Sequence, residues 1–453
     1  MADVSSYRHI HLVGIGGAGM SALAKLLAGR GHTITGSDLR PSLALASLSD
    51  IGLDVWDGHR PEMMSSVNLV VASSAVPETD PEILAAKGAD VPVWQRPDLL
   101  DAITSAIPTI GPTGTHGKTS STGMMVAALR STGLDPSFVV GGDLIDLRTN
   151  AVAGTDDLLV LEVDEAFGTF ERINLIGLQV TSVEPEHLDH FGTFAQLEAA
   201  FLRVIRGVSG PVVACADDPG AARLADTAGA LTYGIEMDAD YRILDFTPSS
   251  ESVAFRMEGR GAMVDVSVPR PGVHMARNAA GVLALLHVLG HDVESAAQGL
   301  RAFHGVRRRF EHRGTVGGVT IVDDYAHHPT EVAATLQAAR QSAPVRLVAV
   351  FQPHLYSRTE MLHHDFGVAL SLADVVVVTD VYGAREQPQP GVTGRLVADA
   401  ATTAGSAEVV YVPHRADLAG VLAEVCRSGD MVVTMGAGDI TTVPAELIAE
   451  LSP

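Results

Sequence analysis

Residues 111–121 read GPTGTHGKTSS. Glycine, lysine and threonine in this order make a phosphate cradle. Gly114 and Gly117 let backbone amides turn toward an anion, the Lys118 ammonium meets β- and γ-phosphate charge, and the Thr119 hydroxyl suits Mg²⁺. Strict spacing would put a glycine at 112; Pro112 stands there, with Gly111 one place earlier, and the Gly114–Thr119 core is intact. Of 31 basic side chains only three are lysines, Lys25, Lys87 and Lys118. In a chain that otherwise uses arginine, a lysine here marks a place for a compact point charge, where a forked guanidinium would not fit.

About a hundred residues earlier lies a second glycine turn, Gly14-Ile15-Gly16-Gly17-Ala18-Gly19, after an apolar run and before a helical one, with Asp38 ending the next run. The pattern offers amides and a helix N-terminus to a diphosphate, whether of a dinucleotide or of a nucleotide sugar. LEVDE supplies Glu162, Asp164 and Glu165, and EPEHLDH supplies Glu186, His187, Asp189 and His190. Both clusters follow apolar runs after the phosphate loop, where metal ligands or solvated strand ends are both expected; Mg²⁺ favours the hard oxygens, Glu162 first. Further on, DDYAHHPTE sets Asp324, His327 and His328 at one strand-to-helix turn, and FQPHLYSRT sets His354, Tyr356, Ser357 and Arg358 at the next. An arginine with histidine and hydroxyl neighbours can clamp a carboxylate. MGAGDI (435–440) is another glycine-rich turn.

The elements that must hold these residues alternate strand and helix, the pattern of parallel α/β sheets. HIHLVGIG, HTITGSD and NLVVASSA read as strands of a first domain, 1–107, and MSALAKLLAGRG as a helix. A second domain, 108–312, carries the phosphate loop, LLVLEVDE, IGLQVTSVE and PVVACADD, alternating runs over 241–268, and a helix over 274–290. A third, 313–453, holds VTIVDDY, VRLVAVFQ, DVVVVTD, EVVYV and DMVVTMGAG. The fold class is therefore α/β in three domains: a Rossmann-like N-terminal domain, a central P-loop α/β domain and a C-terminal Rossmann-like α/β domain. The chain has 453 residues, 46% hydrophobic and 19% charged. It has no apolar run of ~18 residues, so no membrane span is expected. A formal charge of −23 argues against non-specific nucleic-acid binding. No secretion signal is evident, and Cys215 and Cys426 are expected as buried, reduced thiols of a cytoplasmic protein. The sequence is compatible with a monomer or a homodimer.

GIGGAGMSALA, GTHGKT, EPEHLDH, GVRRRF, DDYAHHPTEV, FQPHLYSRT and GAGDI occur in the order and at about the spacing found in the Mur ligases, which the chain resembles over almost its whole length. DDYAHHPTEV and FQPHLYSRT are similar to the versions in the branch that joins L-alanine to UDP-N-acetylmuramate. The resemblance implies ATP and Mg²⁺ as cofactors and domains for the UDP-sugar, ATP and amino acid in turn. It implies a lactyl carboxylate phosphorylated by ATP, then attacked by the amine. The nucleotide would meet Gly114, Thr115, His116, Gly117, Lys118, Thr119, Ser120, Asn278, Arg308, Arg309, Asp324 and His328. Metal ligands would be Thr119, Glu162 and His187; Lys118, His187 and Arg358 would act in catalysis. The UDP-sugar would lie along Gly14, Gly16, Gly17, Gly19, Met20, Ser37, Asp38, Ser74 and Ala75. The amino acid would meet His327, His354, Tyr356 and Arg358.

The chain departs from the usual EADESD of this branch at Val163, Ala166 and Phe167, and from its GxHNxxNA at Met275. Related ligases that use a carbamylated lysine are excluded, because no lysine follows Lys118. The competing readings are a ligase attaching a recycled murein peptide to the same sugar, an NAD(P)-dependent oxidoreductase, and a non-catalytic nucleotide sensor.

Overall fold

The computed structural model describes residues 4–235, 238–384, 386–406 and 408–452; the side chain of Asp189 lies outside the described set. Three sheets carry the chain. In the first, β1 (His9–Val13), β2 (Thr33–Asp38), β3 (Asp54–Asp57), β4 (Leu69–Ala72) and β5 (Val93–Gln95) run parallel in the order β3-β2-β1-β4-β5. The chain leaves β1 toward β2 on one side and later returns to lay β4 on the other. That reversal makes the C-terminal ends of β1 and β4 a topological switch point, the usual ligand position in such sheets.

The second sheet holds β6 (Thr109–Thr113), β7 (Ser137–Leu144), β8 (Thr149–Val152), β9 (Leu159–Leu161), β10 (Gly177–Val180), β11 (Val212–Cys215), β12 (Leu231–Gly234), β13 (Tyr241–Pro248), β14 (Val253–Gly259) and β15 (Ala262–Val268). Its order is β15-β14-β13-β12-β11-β10-β6-β9-β7-β8. β6, which feeds the phosphate loop, lies between β10 and β9, whose ends carry the two acidic clusters. The third sheet joins β16 (Glu311–Val316), β17 (Val319–Asp324), β18 (Arg346–Phe351), β19 (Val375–Thr379), β20 (Glu408–Val412) and β21 (Asp430–Met435) in the order β16-β17-β21-β18-β19-β20. It is antiparallel only at β16.

The central strands are covered on both faces, so they read as unbroken apolar runs: every residue of β4 (LVVA) and β19 (VVVVT) is buried. Helices α1 (Ala18–Gly29), α2 (Leu43–Asp50), α3 (Pro81–Gly88), α4 (Arg96–Ala106) and α5 (Lys118–Ser131) follow strands in turn. The described chain forms two compact units: Met1–Asp245 with Phe255–Ser267 and Arg277–His304, and Phe246–Ala254 with Val268–Ala276 and Gly305–Pro453. Within the first unit, α1 joins the first two sheets. Its Leu23, Leu26 and Leu27 share one apolar cluster with Val139, Ala151 and Leu161 of the second sheet. Lys25 Nζ donates to Asn150 Oδ1 at 2.9 Å on the same face. Gly29 gives the closest approach, since a Cβ there would lie 2.7 Å from Ala153 Cβ.

Cys215 is buried as expected, whereas Cys426 is only half-buried; both are free thiols. Burial pushes the Cys215 thiol up to about 12, so it is held neutral. Among the described residues no helix is long and apolar enough to cross a membrane.

Candidate functional site

The phosphate loop begins where β6 ends. Gly114 sits at φ +132°, and a Cβ there would collide with Thr181 Oγ1 at the end of β10. The loop is laced to that strand end: Thr115 N–H donates to Ser182 O (2.9 Å), His116 N–H to Ser182 Oγ (3.0 Å), and Glu184 N–H to Thr115 Oγ1 (2.9 Å). Gly117, at φ +83°, precedes the first turn of α5 with no side chain capping it. The first turn of α5, Lys118–Ser120, therefore brings the positive end of a helix dipole to the loop without a side-chain cap, which is how an anion is received. Asn278 closes this turn from the helix Val273–Val288; a Cβ on Gly117 would lie 2.8 Å from its Oδ1.

Lys118 curls back into the loop. Its Nζ donates to Gly114 O (2.6 Å) and Thr115 O (3.3 Å) and contacts Glu165 Oε2 (2.7 Å) and Oε1 (3.0 Å). Burial opposes the ammonium, but the Glu165 and Asp164 carboxylates outweigh it and hold its pKa above the ordinary lysine value. Glu165 is 1% exposed; burial pushes it up to about 7 against the pull of Lys118. Thr119 Oγ1 donates to Glu162 Oε1 (3.0 Å), whose other oxygen accepts from Gly141 N–H (2.6 Å). His187, in left-handed backbone at φ +53°, points its Nε2 toward Glu165 Oε1 at 3.8 Å. Thr119, Glu162, Glu165, Lys118 and His187 thus share one end of the sheet. Phe167, one of the departures noted above, is 52% exposed on a kinked turn, with its ring edge-on to His190.

The first glycine turn has different chemistry. Gly14 and Ile15 N–H donate to Ser37 O, and Gly16 N–H donates to Asp38 Oδ2 at 3.0 Å, so Asp38 is spent on the turn itself. Gly17 caps α1 without a side chain, leaving the first amides of that helix open. The Ser37 hydroxyl is buried and turned to Glu82, and the Met20 side chain lies in the core; each meets the switch point by backbone alone. The β4–α3 loop bearing Ser74 and Ala75 runs alongside: a Cβ on Gly14 would lie 3.0 Å from Ser73 Cβ.

In the second unit, Asp324 ends β17 and accepts from Phe310 N–H (2.6 Å) and Ala326 N–H (2.7 Å). Burial raises its carboxyl to about 6, with the Arg309 charge pulling the other way. The guanidiniums of Arg308 and Arg309 lie 4.8 and 5.0 Å from the Tyr325 ring centre. Arg308 Nη2 donates to Gly436 O (2.7 Å), which ties the arginine cluster to the GAGD turn. His328 caps the helix Pro329–Gln341 by backbone, and His327 is held by Tyr325 O and Glu331. The His327 and His354 rings are 5.8 Å apart, and His354 stacks on Tyr382. Tyr356 and Arg358 open the helix Tyr356–Leu370, where a Cβ on Gly383 would meet Tyr356 Cε2 at 2.7 Å. The sheet therefore gathers Asp324, His327, His354 and Tyr356 at the ends of β17 and β18, the two strands that flank β21.

Three family models cover the chain in series: "Mur ligase family, catalytic domain" over 9–107, "Mur ligase middle domain" over 113–286 and "Mur ligase, glutamate ligase domain" over 308–438. The chain belongs to the Mur ligase family. Its three α/β domains are those of that family. A UDP-N-acetylmuramate–L-alanine ligase of Saccharopolyspora erythraea is 45% identical over 99% of this chain and 95% of its own. One of Rubrobacter xylanophilus is 42% identical over 98% of this chain and 100% of its own. The crystal structure of a UDP-N-acetylmuramate–alanine ligase from Thermotoga maritima superposes with a TM-score of 0.82 at 28% identity, covering 97% of this chain and 98% of that one. A murein peptide ligase from Psychrobacter arcticus shares the fold, with a TM-score of 0.71 at 23% identity over 98% of both chains.

Two contacts of this Mur ligase, Glu165 with Lys118 and Arg96 with Gly19, have no signal in the sequence. Glu165 was visible as one of three acids in LEVDE, but nothing in their spacing tells which of them meets Lys118. Arg96 sits in QRPDLL, a stretch with no motif, and is found only through its approach to Gly19.

Proposed function

We propose that the chain is an ATP-dependent ligase that joins L-alanine to the lactyl carboxylate of UDP-N-acetylmuramate, releasing ADP and phosphate. One observation carries the reading: relatives of that name match 98–99% of the chain at 42–45% identity. The phosphate loop with Lys118 in reach of Glu165 fits it chemically.

A carboxylate is a poor electrophile, and phosphorylation by ATP turns it into an acyl phosphate. The L-alanine amine then adds to the acyl carbon, and phosphate leaves from the tetrahedral intermediate. The first step brings anions together, so cationic and amide donors must offset their repulsion. Here the N-terminal turn of α5, Lys118–Ser120, would cradle the phosphates, and the Lys118 ammonium would exchange Glu165 for phosphate oxygen. Gly114, Thr115, His116, Gly117 and Asn278 would meet the nucleotide; Arg308, Arg309, Asp324 and His328 are assigned to it by the family resemblance. Thr119 and Glu162 present hard oxygens 3.0 Å apart, a donor set suited to Mg²⁺, and His187 stands beside them. When bound, the ion would neutralise charge on the β- and γ-phosphates. The amide end of α1, with Gly14, Gly16, Gly17, Gly19, Ser74 and Ala75, would take the sugar nucleotide. His327, His354, Tyr356 and Arg358 would take the amino acid, with Arg358 on its carboxylate. On this reading the domains 1–107, 108–312 and 313–453 would take the sugar nucleotide, ATP and the amino acid in turn.

The test is phosphate release from ATP by the full chain, with UDP-N-acetylmuramate and a panel of amino acids and peptides. Release should require both the sugar nucleotide and L-alanine. Equal turnover without the sugar nucleotide, or preference for a tripeptide over alanine, would overturn the reading.

A further inference from the structure

Arg96 is the first residue of α4, and its guanidinium ends against the first turn of α1. A Cβ on Gly19 would lie 2.9 Å from Arg96 Nη2 and 3.3 Å from Nε, so the glycine makes the room this side chain occupies. Nε is buried and meets no acceptor. Among the described residues the Arg96 side chain has no ion-pair partner either. The acids nearest in sequence are engaged elsewhere. Asp98 and Asp101 take Arg172, at 3.1 and 3.6 Å, and Asp98 also accepts from Gln95 N–H. In a chain with 54 acidic against 31 basic side chains, a partly buried guanidinium without a carboxylate is out of keeping with its surroundings. It also leaves the positive end of one helix dipole and arrives at the positive end of another, so neither helix offsets its charge. The helix end beside it has no side-chain cap at Gly17, while the Asp38 carboxylate accepts from Gly16 N–H of the turn.

We propose that Arg96 is a substrate-binding residue whose planar fork clamps the diphosphate of the sugar nucleotide, completing a ring of donors begun by the α1 amides. This rests on the sugar-nucleotide reading above and adds to it a side-chain cation that the glycine pattern does not contain. A guanidinium presents parallel N–H groups to two phosphate oxygens at once, which an ammonium does not.

Calorimetric titration of the full chain with UDP and with UMP tests it, using wild type, Arg96→Ala and Arg96→Lys. Truncation to alanine should weaken UDP by about 10- to 100-fold, the worth of a charged hydrogen-bonded pair, and UMP by less than about threefold. Lysine should restore part of the loss. In turnover, KM for the sugar nucleotide should rise in Arg96→Ala while KM for ATP stays as in wild type, which separates a clamp from a folding defect. Wild-type UDP affinity in Arg96→Ala, or equal losses for UDP and UMP, would overturn the clamp and leave the ligase reading standing. A wild-type chain that binds no UDP would sink both.

Discussion

Lys118 is wrapped by four acceptors, two loop carbonyls and both oxygens of Glu165, in a space sized for an ammonium. In the proposed function the Glu165 carboxylate stands where a phosphate oxygen would arrive, because both offer negative charge to the same nitrogen. Lys118→Ala should therefore lower kcat/KM for ADP release by about 10²–10³-fold, and Lys118→Arg should fail to rescue it. A flat guanidinium cannot meet acceptors arranged around a point. Arginine activity near wild type would show that charge alone suffices. At this scale the loop was legible in the sequence, since glycine, lysine and threonine are bound to their positions by backbone geometry. What the sequence could not tell was which acid faces the lysine: Glu162, Asp164 and Glu165 differ only in where the chain bends after β9. Ser37 and Asp38 show the same limit. Both were expected along the sugar nucleotide, but one hydroxyl faces Glu82 and one carboxylate faces Gly16 N–H. Direction along a strand alternates reliably, whereas direction at a strand end depends on a single turn.

Among the elements, α3 has a role its sequence hides. Its Glu82 is fully buried and gathers three strands, accepting from His11 Nε2 of β1 (3.4 Å), the Ser37 hydroxyl of β2 and Trp56 Nε1 of β3 (3.3 Å), and also from Arg60 N–H (2.7 Å). Burial alone would raise this carboxyl; the hydrogen bonds from His11, Arg60 N–H and Ser37 overcome it and bring it down to about 2 from 4.5. A folded value below the unfolded one stabilises the protein above pH 4.5, and that stabilisation is lost as pH falls toward 2. Glu82→Gln should cost about 3 kcal/mol at pH 7 in urea unfolding, and the gap to wild type should narrow steadily below pH 4.5. A gap independent of pH would mean that shape rather than charge is at work. The strands Glu82 joins illustrate what was readable. β1 and β4 announce themselves as apolar runs, but β3 (DVWD), β5 (VWQ) and β16 (EHRGTV) are sheet edges with one face partly wet. They take their strand form from a neighbour's hydrogen bonds, so no run marks them.

Over the molecule as a whole, the first two sheets were legible as separate domains, yet they share a core. α1 belongs to the first sheet by sequence and packs on β7 and β8 of the second, with Leu26 and Leu27 in one cluster with Val139 and Leu161. No periodicity in either segment reports this, because an apolar helix face does not say which sheet it will meet. The consequence can be measured, since the chain's two tryptophans, Trp56 and Trp94, lie in β3 and β5 of the first sheet. Their fluorescence follows unfolding of that sheet alone, while ATP would bind at the loop of the second. If the shared core makes the sheets one cooperative unit, Mg²⁺-ATP at 100 times its Kd should stabilise the tryptophan transition by about 2.7 kcal/mol, although both indoles lie in the first sheet and the phosphate loop follows β6 of the second. Gly29→Val should break the link, because its side chain would start 2.7 Å from Ala153 Cβ and wedge α1 from the second sheet. In that variant ATP should still bind but should no longer move the tryptophan midpoint. A midpoint unmoved by ATP in the wild type would show that the two sheets unfold independently despite their common cluster.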